Sequence, residues 1–473
     1  GTGVTASEDG DIFFTGVCTA TTFAGAHSGS GANLTSLPAA QLTGALPAIS
    51  GANLTGIAAT DNVRTGILDV AGIATFRNNV NIGAAVTISE SGIEASGIGI
   101  TVANINGGAI SGRRRINING DMRVAQRNTS VATQDGVEGY KTLDRWRLLY
   151  SSSAGGEATM SQDSDVPTDY SWGKFSKSLK MDVTTADTSV STNHAITLQY
   201  RMEAQDLRNS GWDYTNPNSI LSVSFWAKSV KAGTYCVALN SQDASPNLDI
   251  IKEYTLVANT WKHVEFEIPG NSSLVIDDDN GSGMNFLWAL VVGTGRHLAA
   301  GSWTARSGEA KYGSSNQVNF YDSTDNNFYL TGVQIEVGKP TVFEHHSFAE
   351  ELSLCQRYCY VVIRHDGSMS GAKALGGSGS FYTNDDVYMN MDFPVTMRST
   401  PTLSCVNKSN AFQFPAASSG HNANTLTLIH GHTNGCTLWT TTSSTTTPGY
   451  TSNPYFNASN TTEGDSVIIT AEL

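Results

Sequence analysis

The aromatic residues divide this sequence. Up to Gly112 there is no Trp and no Tyr, and the only aromatics are Phe13, Phe14, Phe23 and Phe76; all 8 Trp and all 16 Tyr follow. A segment with so few large side chains cannot, as a single chain, bury enough apolar area to offset its own ordering entropy. Gly, Ala, Thr, Ser and Asn dominate it, with short β-branched runs such as Val86-Thr87-Ile88 and Ile98-Gly99-Ile100. One phrase recurs after 20 residues: Gly31-Ala32-Asn33-Leu34-Thr35 returns as Gly51-Ala52-Asn53-Leu54-Thr55, and Leu42-Thr43-Gly44 echoes Leu54-Thr55-Gly56 between them. Recurrence at that period points to stacked small units, each too thin for a core. Wrapping several chains round one axis would bury the isolated Leu, Ile and Val positions. Residues 1–112 therefore read as an intertwined stalk, with a disordered Gly/Ser/Thr linker as the alternative. Residues 113–139 read as a linker.

Beyond it the pattern changes to period two, the mark of half-buried strands. Leu179, Met181 and Val183 share one face, as do Ile196, Leu198, Tyr200 and Met202. Leu221, Val223 and Phe225 alternate with Ser222, Ser224 and Trp226. Val264, Phe266 and Ile268 alternate with His263, Glu265 and Glu267, and Val333, Ile335 and Val337 with Gln334 and Glu336. The run 285–292 is apolar on both faces, as a central buried strand should be. Turn signals such as Asn209-Ser210-Gly211 and Pro269-Gly270-Asn271 separate the runs. Many short antiparallel strands over 140–346 predict a β-sandwich, a jelly roll. Ser347 with Glu350 three residues on is a capping box. It predicts a short helix through Glu351, Leu352, Cys355 and Gln356 that ends near Tyr358, within 347–360. Residues 361–473 return to Gly-rich loops and strands, around 387–392, 425–429 and 467–469, and read as a small β tip domain. The expected fold is thus mainly β: an elongated fibre with a stalk, a sandwich and a tip.

Composition excludes several function classes. Charged residues are 15% of the chain, against roughly 25% in ordinary globular chains. The net charge of -14 argues against nucleic acid, which needs clustered Lys and Arg; Arg113-Arg114-Arg115 is too short a run to reverse that. No stretch reaches the ~20 apolar residues of a membrane span, so no membrane insertion is expected. The six Cys are scattered, which is not a disulfide framework and fits synthesis in a reducing cytoplasm. The chain opens on Gly without a signal peptide, which suggests a processed or truncated product.

The phrases Ser224-Phe225-Trp226-Ala227-Lys228-Ser229, Asn259-Thr260-Trp261-Lys262-His263-Val264 and Tyr329-Leu330-Thr331-Gly332-Val333-Gln334-Ile335-Glu336-Val337-Gly338 stand in fixed order. Phe343-Glu344-His345-His346-Ser347 and Glu351-Leu352-Ser353-Leu354-Cys355-Gln356-Arg357-Tyr358 follow. Over about 30–360 the sequence resembles tail-fibre and structural proteins of tailed bacteriophages, especially marine ones. Their central part is similar to carbohydrate-binding-module jelly rolls, and the Gly-Ala-Asn-Leu-Thr-Gly repeats resemble their stems. The resemblance implies a homotrimeric virion fibre, made in the host cytoplasm, whose partners are two further copies of itself, host-surface glycan and other virion proteins. Two alternatives stay open: a structural decoration or connector of the virion, and a polysaccharide depolymerase with its site between subunits.

No catalytic motif is visible: there is no Gly-x-Ser-x-Gly elbow, no phosphate-cradling Gly-Lys-Ser/Thr loop and no His-Glu-x-x-His. Glu265 and Glu267 share a strand face and cannot flank a bond from both sides, so no catalytic residue is expected. Sugar binding needs an exposed aromatic face with polar groups alongside. Trp212 and Tyr214 lie in a loop with Asn209, Asp213 and Asn216 and form one candidate pair; Trp303, near Arg306, is another candidate. Trp226 lies on the polar face of its strand and could join a groove with Glu265, Glu267 and Gln334, the alternative being a covering loop or a neighbouring subunit. Trp261 and Trp288 read as core. His430-Gly431-His432 resembles phage fibre tips that hold an iron ion on the trimer axis, with an ordinary surface pair as the alternative. Cys355 and Cys359 read as core rather than a metal clip. Asp277-Asp278-Asp279-Asn280-Gly281 has the chemistry of a calcium loop without the EF-hand spacing; a solvated turn is the default and a structural calcium the alternative. No other cofactor is expected.

Overall fold

The period-two runs do form strands. The computed structural model describes residues 4–17, 19, 21–22, 114–133, 137–151 and 155–473. The chain divides into two compact units, Gly1–Ser96 and Gly97–Leu473. In the first, β1 (Val4–Ala6) pairs antiparallel with β2 (Ile12–Phe14), and Val4, Ile12, Phe13 and Phe14 are all exposed. The stalk repeats lie outside the described residues.

The second unit opens with a sandwich. One sheet has seven strands in the order β14 (Thr304–Ala305), β11 (Leu248–Leu256), β10 (Gly233–Ser241), β13 (Ser282–Val292), β8 (Ala195–Glu203), β5 (Trp146–Ser151) and β4 (Gly139–Tyr140). The other has six: β12 (Lys262–Pro269), β9 (Ile220–Ser229), β15 (Asn327–Val337), β7 (Ser178–Thr185), β6 (Glu157–Asp163) and β3 (Ser130–Thr133). The strands of both sheets pair antiparallel, and the chain passes repeatedly from one sheet to the other, as in a jelly roll. β13, apolar on both faces, lies between β10 and β8. The side chains that share a phase in sequence interdigitate between the sheets: Trp288 packs on Trp146 at 5.2 Å and edge-on against Phe225 at 5.7 Å.

The sandwich reaches further towards the N-terminus than expected, and the linker reading of 113–139 needs correction. Arg115, Ile116, Asn117, Ile118 and Asn119 are buried. Ile116 donates its amide to Ile335 O at 2.8 Å, Val333 donates to Gly120 O at 2.9 Å, and the Asn117 side chain bonds both Val333 O and the Ile335 amide. β15 carries a bulge between Thr331 and Gln334, next to these bonds. Two glycines make the junction possible. Gly332 sits at φ +62°, and a Cβ on Gly120 would come within 1.9 Å of Val333 O. A short polar phrase thus forms part of the fold because its asparagines replace ladder hydrogen bonds.

The helix α2 (Phe348–Gln356) begins at Ser347, whose hydroxyl accepts from the Glu350 amide while the Glu350 carboxylate accepts from the Ser347 amide. A second, shorter helix, α1 (Ala204–Arg208), was not anticipated. Cys355 and Tyr358 pack with Ile118 and Val124, and Cys359 is also fully buried. Glu203 on β8 accepts from Arg357 at 2.9 Å and from the Tyr358 hydroxyl at 2.5 Å. At the other end of the chain, Glu472 pairs with Arg127 at 2.7 Å and Arg145 at 2.9 Å. The Arg145 guanidinium lies 3.5 Å from the Tyr358 ring centre.

The tip is a second β assembly with its own core, built round Phe381, Val387, Met389, Phe412, Leu438, Phe456 and Ile469. It contains a three-stranded sheet of β16 (Cys359–Arg364), β27 (Ser466–Thr470) and β20 (Thr402–Cys405). A four-stranded sheet runs β17 (Ala372–Ala374), β26 (Tyr455–Asn457), β21 (Phe412–Ala416), β22 (Ser419–Ala423). A five-stranded sheet runs β23 (Thr427–His432), β24 (Gly435–Thr441), β19 (Asp386–Asp392), β18 (Ser378–Phe381), β25 (Thr451–Ser452).

Candidate functional site

Burial closes Trp212 and Trp226, and Tyr214 and Trp303 pack partly buried against the core. Trp212, at 2% exposure, is core, and its indole Nε1 donates to Ser219 O at 3.2 Å. Tyr214 is partly buried against the same core, with its ring edge-on to Trp212. Trp303 also packs on the core and donates Nε1 to Pro269 O at 2.8 Å. In each case the loop folds back on the sandwich because the indole can satisfy its polar atom and bury its rings together. Trp226 does point away from Phe225, but Phe175 and Phe343 cover it. The groove suggested for Trp226 does not form: Gln334 is buried against Glu336 and Thr341, and Glu265 and Glu267 are exposed. Burial and the neighbouring Glu267 raise the pKa of Glu265.

Trp288 is core as expected; Trp261 is not. It lies half-buried on the outer side of the six-stranded sheet, donating Nε1 to Asp165 at 3.0 Å, with the Lys228 ammonium 5.4 Å from its ring and 4.4 Å from that of Tyr329. Nearby, Trp172 stacks on His263 at 4.3 Å. Burial pushes His263 down to about 4 against the pull of Asp169.

His430 and His432 are exposed on β23, an edge strand, and His432 Nδ1 accepts from the Asn434 amide at 3.2 Å. Among the described residues no group of three or more His, Cys, Asp or Glu side chains could hold a metal ion within one chain. In the acidic loop Asp278 accepts from the Asn209 side chain and Asp279 from the Gly281 amide, while Asp243, just after β10, accepts from the Asp277 amide.

An outward-facing aromatic surface lies in the tip. On β19, Val387, Met389 and Met391 point into the core, so Asp386, Tyr388, Asn390 and Asp392 point out. On β24, Cys436, Leu438 and Thr440 are buried, so Thr437, Trp439 and Thr441 point out. The register sets Tyr388 directly opposite Trp439, and Trp439 opposite Thr427. Tyr382, 73% exposed in the β18–β19 turn, places its ring 5.2 Å from that of Tyr388. Tyr382, Tyr388 and Trp439 thus form a row across the sheet. Polar cross-strand bonds flank the row: Thr437 donates to Asn390 and Thr441 to Asp386, both at 2.8 Å. Beyond Trp439 a groove of about 320 Å³ opens, lined by Asn422, Asn424, Thr425, Thr427, Thr442 and Ser443, at the small end of ligand-sized sites. Residues 378–392 and 419–452, which build this surface, contain no Lys and no Arg. Aromatic faces beside amides and hydroxyls suit a pyranose, whose C–H faces stack while its hydroxyls hydrogen-bond. Sequence reasoning missed these three residues, although Tyr388 and Trp439 both occupy the polar phase of an alternating run.

Comparison with known proteins gives structural neighbours only. No family model matches the chain, and no curated protein matches it. Similar solved structures include the enzymatically active domain of tailspike protein 4 of bacteriophage CBA120, at 12% identity and a TM-score of 0.24, over 47% of this chain and 21% of that one. A putative sugar-binding protein from Bacteroides thetaiotaomicron matches at 11% identity and 0.26, over 48% of this chain and 100% of that one. A family 11 carbohydrate-binding module from Clostridium thermocellum, in complex with a β-1,3-1,4-mixed-linked tetrasaccharide, matches at 15% and 0.22, over 46% and 99%. The chain spans about a fifth of the tailspike structure. The sandwich assignment itself rests on the strand order and register given above.

Proposed function

We propose that this chain is a virion fibre protein that recognises host-surface glycan and breaks no bond. The observation that carries the reading is the outward-facing row Tyr382–Tyr388–Trp439 beside a groove of amide and hydroxyl groups. One such site binds weakly; three copies on a homotrimer, and many fibres on a particle, multiply it by avidity. The homotrimer is part of the proposal. It is supported by the exposed Val4, Ile12, Phe13 and Phe14 on a hairpin of two three-residue strands, too small to be stable alone.

The test is binding of the purified protein to a bacterial polysaccharide array, with release of reducing ends assayed in parallel. Retention on glycan spots that is lost in Tyr388→Ala and Trp439→Ala, with no reducing ends released, supports the reading. Release of reducing ends would establish a depolymerase instead. Retention unaffected by both substitutions would move recognition elsewhere in the chain.

A further inference from the structure

The tip surface has a charge character that narrows its ligand. We infer that the row Tyr382–Tyr388–Trp439 and its groove take an uncharged glycan rather than an acidic one; the inference rests on the glycan-recognition reading above. Acidic polysaccharides are held by Lys and Arg, through charge-assisted and often bidentate hydrogen bonds. The segments that build this surface contain neither. The acidic side chains on this face are Asp386, which projects from the same face of β19 as Tyr388, two residues away, and Asp392 further along it; the exposed His430, opposite Thr437 on β23, and His432, opposite Gly435, are the other ionisable groups of the face. Strand rise puts Asp386 about 7 Å from Tyr388 along the strand. A ligand carboxylate stacked near Tyr388 would meet Asp386 at close to that distance, with no Lys or Arg from these segments to offset it. Asp386 itself accepts a hydrogen bond from the Thr441 hydroxyl. The groove side repeats the pattern, since Asn422, Asn424, Thr425, Thr427, Thr442 and Ser443 are all neutral donors and acceptors. Across the whole chain the net charge of -14 adds repulsion of the same sign.

Coulomb's law in water at that separation gives discrimination of about threefold per carboxylate at low salt. The experiment uses matched pairs: acidic bacterial polysaccharides printed in native form and after carboxyl reduction, which turns uronic acids into neutral hexoses without changing linkages. Full-length wild type, Tyr382→Ala, Trp439→Ala and Asp386→Asn are applied at low and high ionic strength, with their folding checked by circular dichroism and their mass by light scattering. The expected result is about threefold or greater preference for the reduced member of each bound pair at low salt, a smaller preference at high salt, and a narrower gap in Asp386→Asn. Equal or tighter binding of the native acidic members, still dependent on Trp439 and Tyr382, would overturn this inference and leave glycan recognition standing. No retention on any spot would overturn both. Loss of oligomer mass in Tyr382→Ala or Trp439→Ala would also overturn both, since the row would then be a contact between copies of this chain.

Discussion

Arg115 and Glu351 lie 236 positions apart in sequence and form an ion pair in which neither side chain has any exposure. The pair ties the segment that enters the sandwich to the helix that leaves it. Glu351 also accepts from the Asn119 amide and lies 3.2 Å from His346 Nδ1. Burial would raise the Glu351 pKa, but Arg115 and these hydrogen bonds hold it below the usual carboxylate value. Removing one member leaves an uncompensated buried charge, so Arg115→Met should cost about 3–5 kcal/mol. Urea unfolding followed by Trp fluorescence would read it, and a loss under about 1 kcal/mol would show that the pair is dispensable.

The C-terminal residues act as a clasp. Glu472 pairs with both Arg127 and Arg145, and the Leu473 carbonyl accepts from Arg201 at 2.9 Å. Glu472→Ala should destabilise by about 3 kcal/mol, as for a broken buried pair. Limited proteolysis should then release the tip from the sandwich before either is degraded.

Two aromatic substitutions should behave oppositely. Trp212→Ala empties a core position and should cost about 3–5 kcal/mol. Tyr382→Ala, on an exposed turn, should stay within about 0.5 kcal/mol of wild type while lowering glycan retention. Thermal melts and binding on the same samples separate the two effects.

Stability should fall in acid in two stages. His263 has a folded pKa of about 4, below its ordinary 6.5. The unfolded chain therefore takes up its proton first, and stability declines as pH drops from 6.5 towards 4. Solvent screening of this partly exposed ring limits the effect to on the order of 1 kcal/mol. His263→Gln should flatten that part of the profile. Glu203 and Glu351, both held below 4.5, contribute stability above that pH which is lost as pH falls through their folded values. A melting temperature constant from pH 7 to 4.5 would contradict the His263 assignment.

The capping box gives a local test. Ser347→Ala should cost about 1 kcal/mol, and Ser347→Asp should largely restore it. Hydrogen exchange of the Glu350 amide would localise the change.

How much of this could be read beforehand differs by kind of interaction. α2 was legible because its start is set by two side chains three residues apart. The faces of β7, β8, β9 and β15 were legible because the strand period is two. The role of 114–124 was not, since its partners Val333, Ile335 and Glu351 are remote in the chain. The candidate site failed for a related reason. Alternation put Trp226 on the outer face, and Phe175 and Phe343, from distant segments, cover it. Tyr388 and Trp439 occupy equivalent polar-phase positions, and there both rings stay only half-buried.

By itself, then, the sequence determined the mainly β class, the strand faces and the start of the helix, because these depend on spacings of two to four residues. Which outward-facing ring is buried and which is free to meet a ligand was decided by the tertiary structure. That choice depends on what distant segments pack above each sheet and on the register that sets Tyr388 opposite Trp439, and neither is encoded by local periodicity.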